Sequence, residues 1–210
     1  MARISVEDRS RQFIEAAARV IAAEGIVAAT TRRIAAEADA PLAALHYCFR
    51  SKDDLLNEVY NYLSRDYARE LEPMPTPRTL EDAVDLHIRR IWRRMLTAPH
   101  EQITTFELLL RSTRLDKPQE IDSARVINRS MYAAWIDSTS SILAAAAQAE
   151  GRDSGIDLEM VSRIIIAGID GISLQHVSDP DVQRSEQLIE ALCTSVKALL
   201  GPRTHRPEHP

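Results

Sequence analysis

The sequence predicts an all-α protein of about nine helices, on two observations. Apolar residues recur at the 3.6-residue helical spacing along most of the chain. No sustained period-two run of β-branched residues marks a strand, and only six glycines occur in 210 residues. Hydrophobic residues make up 45% and charged residues 27%, the balance of a globular protein with a real core and too apolar for a disordered one. No stretch approaches the roughly 18 apolar residues of a membrane span, and Met1–Arg11 carries no apolar signal core. Two cysteines, Cys48 and Cys193, make neither a disulfide framework nor a metal-type pairing. The expectation is a cytoplasmic protein with no membrane association, no metal and no cofactor.

Each element follows from local pattern. Ile14, Ala17, Ala18 and Ile21 share one helical face, widened by Phe13 and Val20, and Gly25 ends that helix as a left-handed cap would. Thr30 is placed to cap a short helix bearing Ile34, Ala35 and Ala38. Asp39-Ala40-Pro41 breaks it, because a residue before proline avoids the helical region. A third short helix runs from about Leu42 to Cys48. Ser51-Lys52-Asp53-Asp54 resembles a capping box with Asp in place of Glu, and opens a connecting helix over 51–71. Three prolines between Pro73 and Pro77 forbid a continuous helix. Beyond them, helices are expected over about 79–97, 100–114, 118–148, 157–177 and 183–200, with a disordered tail at 203–210. The predicted domains are 1–52 and 53–202.

Charge is uneven. Residues 1–52 hold eight Lys/Arg against six Asp/Glu, and the remainder 18 against 25, so a polyanion would be met at the front end. There, two short helices joined by a tight turn after a supporting helix form a helix-turn-helix over about 30–49. A helix that enters the major groove needs a small leading face, which Leu42, Ala43 and Ala44 supply, while Ile34, Ala38, Leu45 and Phe49 clamp the helices. Phosphate-seeking groups surround it: Thr30, Thr31, Arg32, Arg33, Tyr47 and Lys52.

Gly25, Thr30-Thr31-Arg32-Arg33-Ile34-Ala35, Ala38 and Leu45-His46-Tyr47-Cys48-Phe49-Arg50-Ser51-Lys52-Asp53-Asp54-Leu55 resemble the N-terminal signature of TetR-family transcriptional repressors. The match covers about residues 10–60. The resemblance implies an N-terminal three-helix DNA-binding domain and a C-terminal helical domain for ligand binding and dimerisation. It implies that Thr30, Thr31, Tyr47 and Lys52 grip phosphates, that Arg32 reaches a base, and that Leu42, Ala43, Ala44 and His46 form the recognition face. Three positions depart from the pattern: Asp39 for the usual Gly, Pro41 for a frequent Ser, and His46 for Tyr.

Between Pro41 and Phe49 there is no Arg, Lys, Asn or Gln, the residues that read purines bidentately. Direct readout there would rest on methyl contacts and His46, Arg32 or Arg33 being the candidate for guanine. Operator specificity is then expected to depend partly on DNA shape.

In the C-terminal half, the helix over 157–177 is apolar around most of its circumference, and the last helix has one broad apolar face. Two such helices from each of two chains would make a four-helix bundle, as the resemblance also implies, with Ile165, Ile169, Ile172, Leu188, Leu192 and Val196 at the homodimer interface. A two-fold dimer would read a palindromic double-stranded operator through two half-sites. The resemblance further implies an inducer pocket, for which His87, Ile91, Trp92, Met95, Phe106, Leu110, Met131 and Trp135 are candidate lining residues. Their mostly apolar character suits a small hydrophobic or amphipathic inducer. Asp85 is spaced to pair with Arg89. His87 and His176 stand apart from any acid/base, nucleophile or metal constellation, so no enzymatic activity is expected. The competing reading is a helical interaction or sensor protein whose DNA-reading head has degenerated.

Overall fold

A computed structural model describes residues 5–63, 75–152 and 155–201. Among them nine α-helices follow one another: α1 (Val6–Ala28), α2 (Thr31–Glu37), α3 (Leu42–Cys48), α4 (Lys52–Asn61), α5 (Leu80–Thr97), α6 (Pro99–Leu109), α7 (Pro118–Glu150), α8 (Leu158–Ser178) and α9 (Val182–Leu199). No strand occurs among the described residues.

Most boundaries are set by local caps. The side chains of Ser5, Thr30, Ser51, Thr79, Asp157 and Asp181 each accept the backbone N–H three residues on, satisfying one of the donors a helix start leaves open. At α4 the return bond is displaced: Asp54 accepts from the Arg50 N–H, one residue earlier than in a standard capping box. Gly25 interrupts α1 with φ 81° and ψ 161°. That is a region open only to glycine, rather than the left-handed helical cap expected there. Asp39, with φ 47°, is a left-handed residue that closes α2. The Asp39 and Ala40 N–H groups donate back to Ala36 and Ala35, at 3.1 and 3.0 Å.

Two expectations need adjustment. The helix over 100–114 changes to a 3-10 helix at Leu110–Arg114, because side chains take the carbonyls that would extend it. Tyr60 donates to the Leu108 carbonyl at 2.8 Å and Asn128 to that of Leu109 at 2.9 Å. The connecting helix 51–71 is α-helical to Asn61, and its part beyond 63 lies outside the described residues, as does the tail 203–210.

By packing, the chain divides into an N-terminal unit, Met1–Arg69 with Ala98–Tyr132, and a C-terminal unit, Glu70–Thr97 with Ala133–Pro210. This differs from the 1–52 and 53–202 division because α6 is bound to the head. Thr104 donates to the Ala18 carbonyl in α1 at 2.6 Å, and Tyr62 to the buried Glu101 carboxylate at 2.9 Å. The division falls inside α7.

The N-terminal unit is built around Phe13, Ile21, Ile34, Leu45, Leu55 and Leu56, all essentially fully buried. Phe13 meets Phe49 edge to face, ring centres 6.4 Å apart. In the C-terminal unit one apolar core joins Leu80, Val84, Ile88 and Trp92 of α5 to Leu143 of α7. It continues through Val161, Ile165 and Ile169 of α8 to Ile189 and Val196 of α9. Burying each such Leu or Ile contributes about 1.5–3 kcal/mol. Gly168 brings α8 and α9 close: a Cβ there would lie 2.5 Å from Leu192 Cδ1.

Candidate nucleic-acid interface

Helices α2 and α3 are held on α1 by apolar contacts and by Gln12, whose Nε2 donates to the Ala38 carbonyl at 2.6 Å. The four residues expected to clamp the pair, Ile34, Ala38, Leu45 and Phe49, are all buried. Their burial fixes which sides of α2 and α3 face outward. On α3 the exposed residues are Ala43, His46 and Tyr47, with Pro41 just before the helix; Leu42 and Ala44 are half-buried. Tyr47 is 79% exposed, so both its ring and its hydroxyl are open to a partner.

The two arginines of α2 have different surroundings. Arg33 donates through Nε to Glu24 at 2.8 Å and through Nη2 to Glu37 at 3.1 Å, and Glu37 also accepts from Arg19 at 3.1 Å. The Glu24 bond, then the Glu37 bond, raise the Arg33 pKa, so the guanidinium is held as a charged tie between α1 and α2. Arg32, the neighbouring residue, is exposed and makes no such bond among the described residues. Thr30 is exposed and Thr31 half-buried at the start of α2, where N–H groups are available to an anion.

Lys52 is half-buried, and its Nζ donates to the Ile26 carbonyl at 3.0 Å. Burial first, then the nearby Arg111 charge, lower its pKa. Its ammonium keeps further donors for a phosphate, but part of its work is to close the turn after Gly25. Arg111 itself pairs with Asp53 at 2.9 Å, tying the 3-10 helix to the start of α4. Burial pushes the Tyr60 hydroxyl up to about 12, so it serves as a donor to Leu108 and not as an acid.

Residues expected around a ligand fall in both units. His87, Ile91, Trp92, Met95 and Trp135 lie in the C-terminal unit, whereas Phe106, Leu110 and Met131 lie in the N-terminal one. Leu110 is 50% exposed on the 3-10 helix. Within the C-terminal unit the chemistry is unusual for an interior. His87 is buried and its Nε2 lies 3.1 Å from Thr139 Oγ1, and burial, aided by the Arg90 charge, pushes its pKa down to about 4. Trp92 donates to Glu186 at 3.2 Å and meets the His176 ring edge to face at 5.3 Å.

Arg152 has a buried side chain that donates to Glu81 at 2.7 Å and to the Leu200 and Gly201 carbonyls at 2.8 and 2.9 Å. Sequence spacing gave no sign of it. Asp85 pairs with Lys197 at 2.7 Å, and Arg89 with Glu190, in place of the expected Asp85–Arg89 pair. Burial, then a bond to Asp85, push the Cys193 thiol up to about 12, which leaves it unreactive. Among the described residues no group of three or more His, Cys, Asp or Glu is placed to hold a metal ion. Nor is any helix among them long and apolar enough to cross a membrane.

The expected dimer residues divide by burial. Ile165, Ile169, Ile172 and Val196 are covered within their own unit, because the apolar circumference of α8 is used first to pack α5 and α9. Leu188 and Leu192 are half-buried, and Leu192 faces Gly168 of α8. The outward side of α8 instead carries Met160, Ile164, Ala167, Gly171 and Leu174, at helical spacing. On the C-terminal half of α9 the exposed small and apolar positions include Ala191, Ser195, Ala198 and Leu199.

Comparison with known proteins agrees with this geometry. The model of the bacterial regulatory proteins of the tetR family matches residues 13–59, and that of the BetI-type transcriptional repressor C-terminal domain matches residues 87–201. The HTH-type nicotine-responsive transcriptional repressor HdnoR of Paenarthrobacter nicotinovorans is 32% identical over 196 residues, covering 90% of this chain and 94% of that protein. A transcriptional regulator from Rhodococcus sp. Rha1 has the same fold, with a TM-score of 0.71 at 18% identity over 91% of this chain and 95% of that one. The multidrug binding protein EbrR, solved with ethidium, superposes with a TM-score of 0.62 at 26% identity, over 90% of this chain and 98% of that one.

Proposed function

The chain belongs to the TetR family of transcriptional regulators, and we propose that it is a repressor that binds a palindromic operator as a homodimer and is released by a small-molecule inducer. The observation that carries the DNA reading is the outward face of α2 and α3. It holds an exposed Tyr47, an Arg32 with no ion pair among the described residues and a small Ala43, on two helices whose other sides are locked in the core. Arg32 and the N–H groups at the start of α2 meet phosphate or base, and Tyr47 packs on the backbone. Lys52 contributes charge while it holds the turn.

The three departures from the family pattern leave the head intact. Asp39 adopts the left-handed conformation of the turn, Pro41 precedes the first residue of α3, and His46 stays exposed. The degenerate-head reading therefore gains no support from them.

For dimerisation the outward face of α8 and α9 offers Met160, Ile164, Leu174 and Leu199 in place of the core isoleucines. For the inducer, the residues that remain are His87, Ile91, Trp92, Met95 and Trp135 of the C-terminal unit. A neutral imidazole, an indole and apolar side chains suit a small hydrophobic or amphipathic molecule, in keeping with a nicotine-responsive relative and an ethidium-bound one. Inducer and operator would weaken each other equally, by linkage. The reading asks for no catalytic chemistry, and it places the protein in the cytoplasm.

The test is fluorescence anisotropy with the DNA flanking the protein's own coding region, against scrambled DNA, at two salt concentrations. The repressor reading expects tight binding that falls steeply with salt and is lost in an Arg32→Ala/Tyr47→Ala double variant of unchanged helicity. Equal, weak binding to both DNAs would count against it.

A further inference from the structure

Reading a base in the major groove takes either a hydrogen-bonding side chain of matching geometry or, for thymine, an apolar atom against its methyl group. The exposed surface of α3 supplies almost none of the first kind. Its outward residues are Ala43, His46 and Tyr47, and no cation or carboxamide lies between Pro41 and Phe49. The sequence left two arginines of α2 as alternatives for the missing cation, and the fold separates them. Arg33 is bound at both ends of its guanidinium by Glu24 and Glu37, and Glu37 is held in turn by Arg19. To reach a base, Arg33 would have to leave two carboxylates, and Glu24 of α1, unlike Glu37, would keep no cation among the described residues to offset its charge near the phosphates. Arg32 is exposed and, among the described residues, has no side-chain hydrogen bond or ion pair to give up.

We infer that the head divides its reading between two chemistries: Arg32 alone contacts guanine, α3 reads thymine methyl groups through Ala43 and the half-exposed Leu42, and Arg33 serves only to hold α2 on α1. The half-site this fits contains one essential guanine beside thymine-bearing pairs, with His46 as the remaining polar reader of α3. The inference rests on the DNA-binding reading above and adds the bases it selects.

The test uses the full-length protein and chemically altered DNA, so that its main readout does not depend on a variant folding. A duplex is first selected from a random library. In it each thymine is replaced singly by deoxyuridine, which removes only the methyl group, and each guanine by 7-deazaguanine, which removes the N7 acceptor. Removing one buried methyl should weaken binding about four-fold at each thymine under α3. One guanine per half-site should cost about ten-fold in the wild type and nothing in Arg32→Ala. Arg33→Ala should keep the same order of base preferences.

Uracil that binds as well as thymine throughout would overturn the methyl reading. Loss of the guanine effect in Arg33→Ala, or its persistence in Arg32→Ala, would overturn the assignment of the cation. If no sequence is selected over random DNA, the DNA-binding reading fails and takes this inference with it. A selected site without these sensitivities removes the inference alone.

Discussion

The reading head and the C-terminal unit place their charged groups differently, although the N-terminal unit also buries one carboxylate, Glu101, against Tyr62 of the connecting segment. In the N-terminal unit the charged contacts around the reading head, Arg33 with Glu24 and Glu37 and Arg19 with Glu37, lie on the surface, over a core of Phe13, Ile21, Ile34 and Leu45. In the C-terminal unit charge and hydrogen-bonding groups enter the interior: Arg152 on Glu81 and two carbonyls, and His87 on Thr139. Exposed pairs contribute little to stability because water competes for both partners, whereas a buried group must be matched or it destabilises the fold. The head is thus a rigid apolar wedge whose surface ions set orientation. The C-terminal unit carries internal polarity, the feature a ligand-selective interior needs.

The sharpest way to break this comparison is to remove an arginine from each unit. Arg152→Ala should lower the unfolding free energy by about 3–5 kcal/mol, because it strips the donor from a mostly buried carboxylate and from the Leu200 and Gly201 carbonyls just past the end of α9. The same change at Arg33 should give a far smaller fall in denaturant midpoint. Equal effects in urea titrations would show that the two ion-pair systems do not differ as described.

The second largest effect is a pH dependence confined to the C-terminal unit. Folding depresses the His87 pKa from the ordinary 6.5 to about 4, so the unfolded chain takes up the proton first. Stability should therefore fall as pH drops from about 6.5 to about 4, by about 3 kcal/mol in full, and level off below. His87→Gln should remove that part of the slope. A slope unchanged by the substitution would mean that other groups carry it.

The head should respond to backbone changes where it is indifferent to surface charge. Gly25→Ala places a Cβ in a conformation that only glycine adopts, with no atom nearby to clash. The expected cost of about 1–3 kcal/mol is then backbone strain alone. Asp39→Gly should act the other way and least. Relieving a left-handed aspartate gains at most about 1 kcal/mol, offset in part by the greater freedom of glycine in the unfolded chain. A small rise in melting temperature is the outcome that fits; a fall would show that the Asp39 side chain stabilises the turn.

Helix order, most caps and the helix-turn-helix were legible in the sequence because they depend on neighbours three or four residues away. Thr30, Ser51 and Thr79 cap where short-range spacing places them, and α3 begins at Leu42 because Pro41 and Asp39 forbid helix before it. Spacing could also say that α8 is apolar all round. It cannot say which of those residues face their own chain: Ile165 and Ile169, expected at the dimer interface, pack in the core shared with α5 and α9.

What the sequence by itself determined is the all-α architecture, the reading head and the family, since periodicity and a fixed run of motif spacings are properties of the chain order. Only the tertiary structure decided which of two adjacent arginines remains available, that Arg152 is buried and that α6 belongs with the head. Each of those depends on partners 9 to 86 residues away. At such separations hydrogen-bonding partners are set by how helices pack, and helical periodicity carries no information about that.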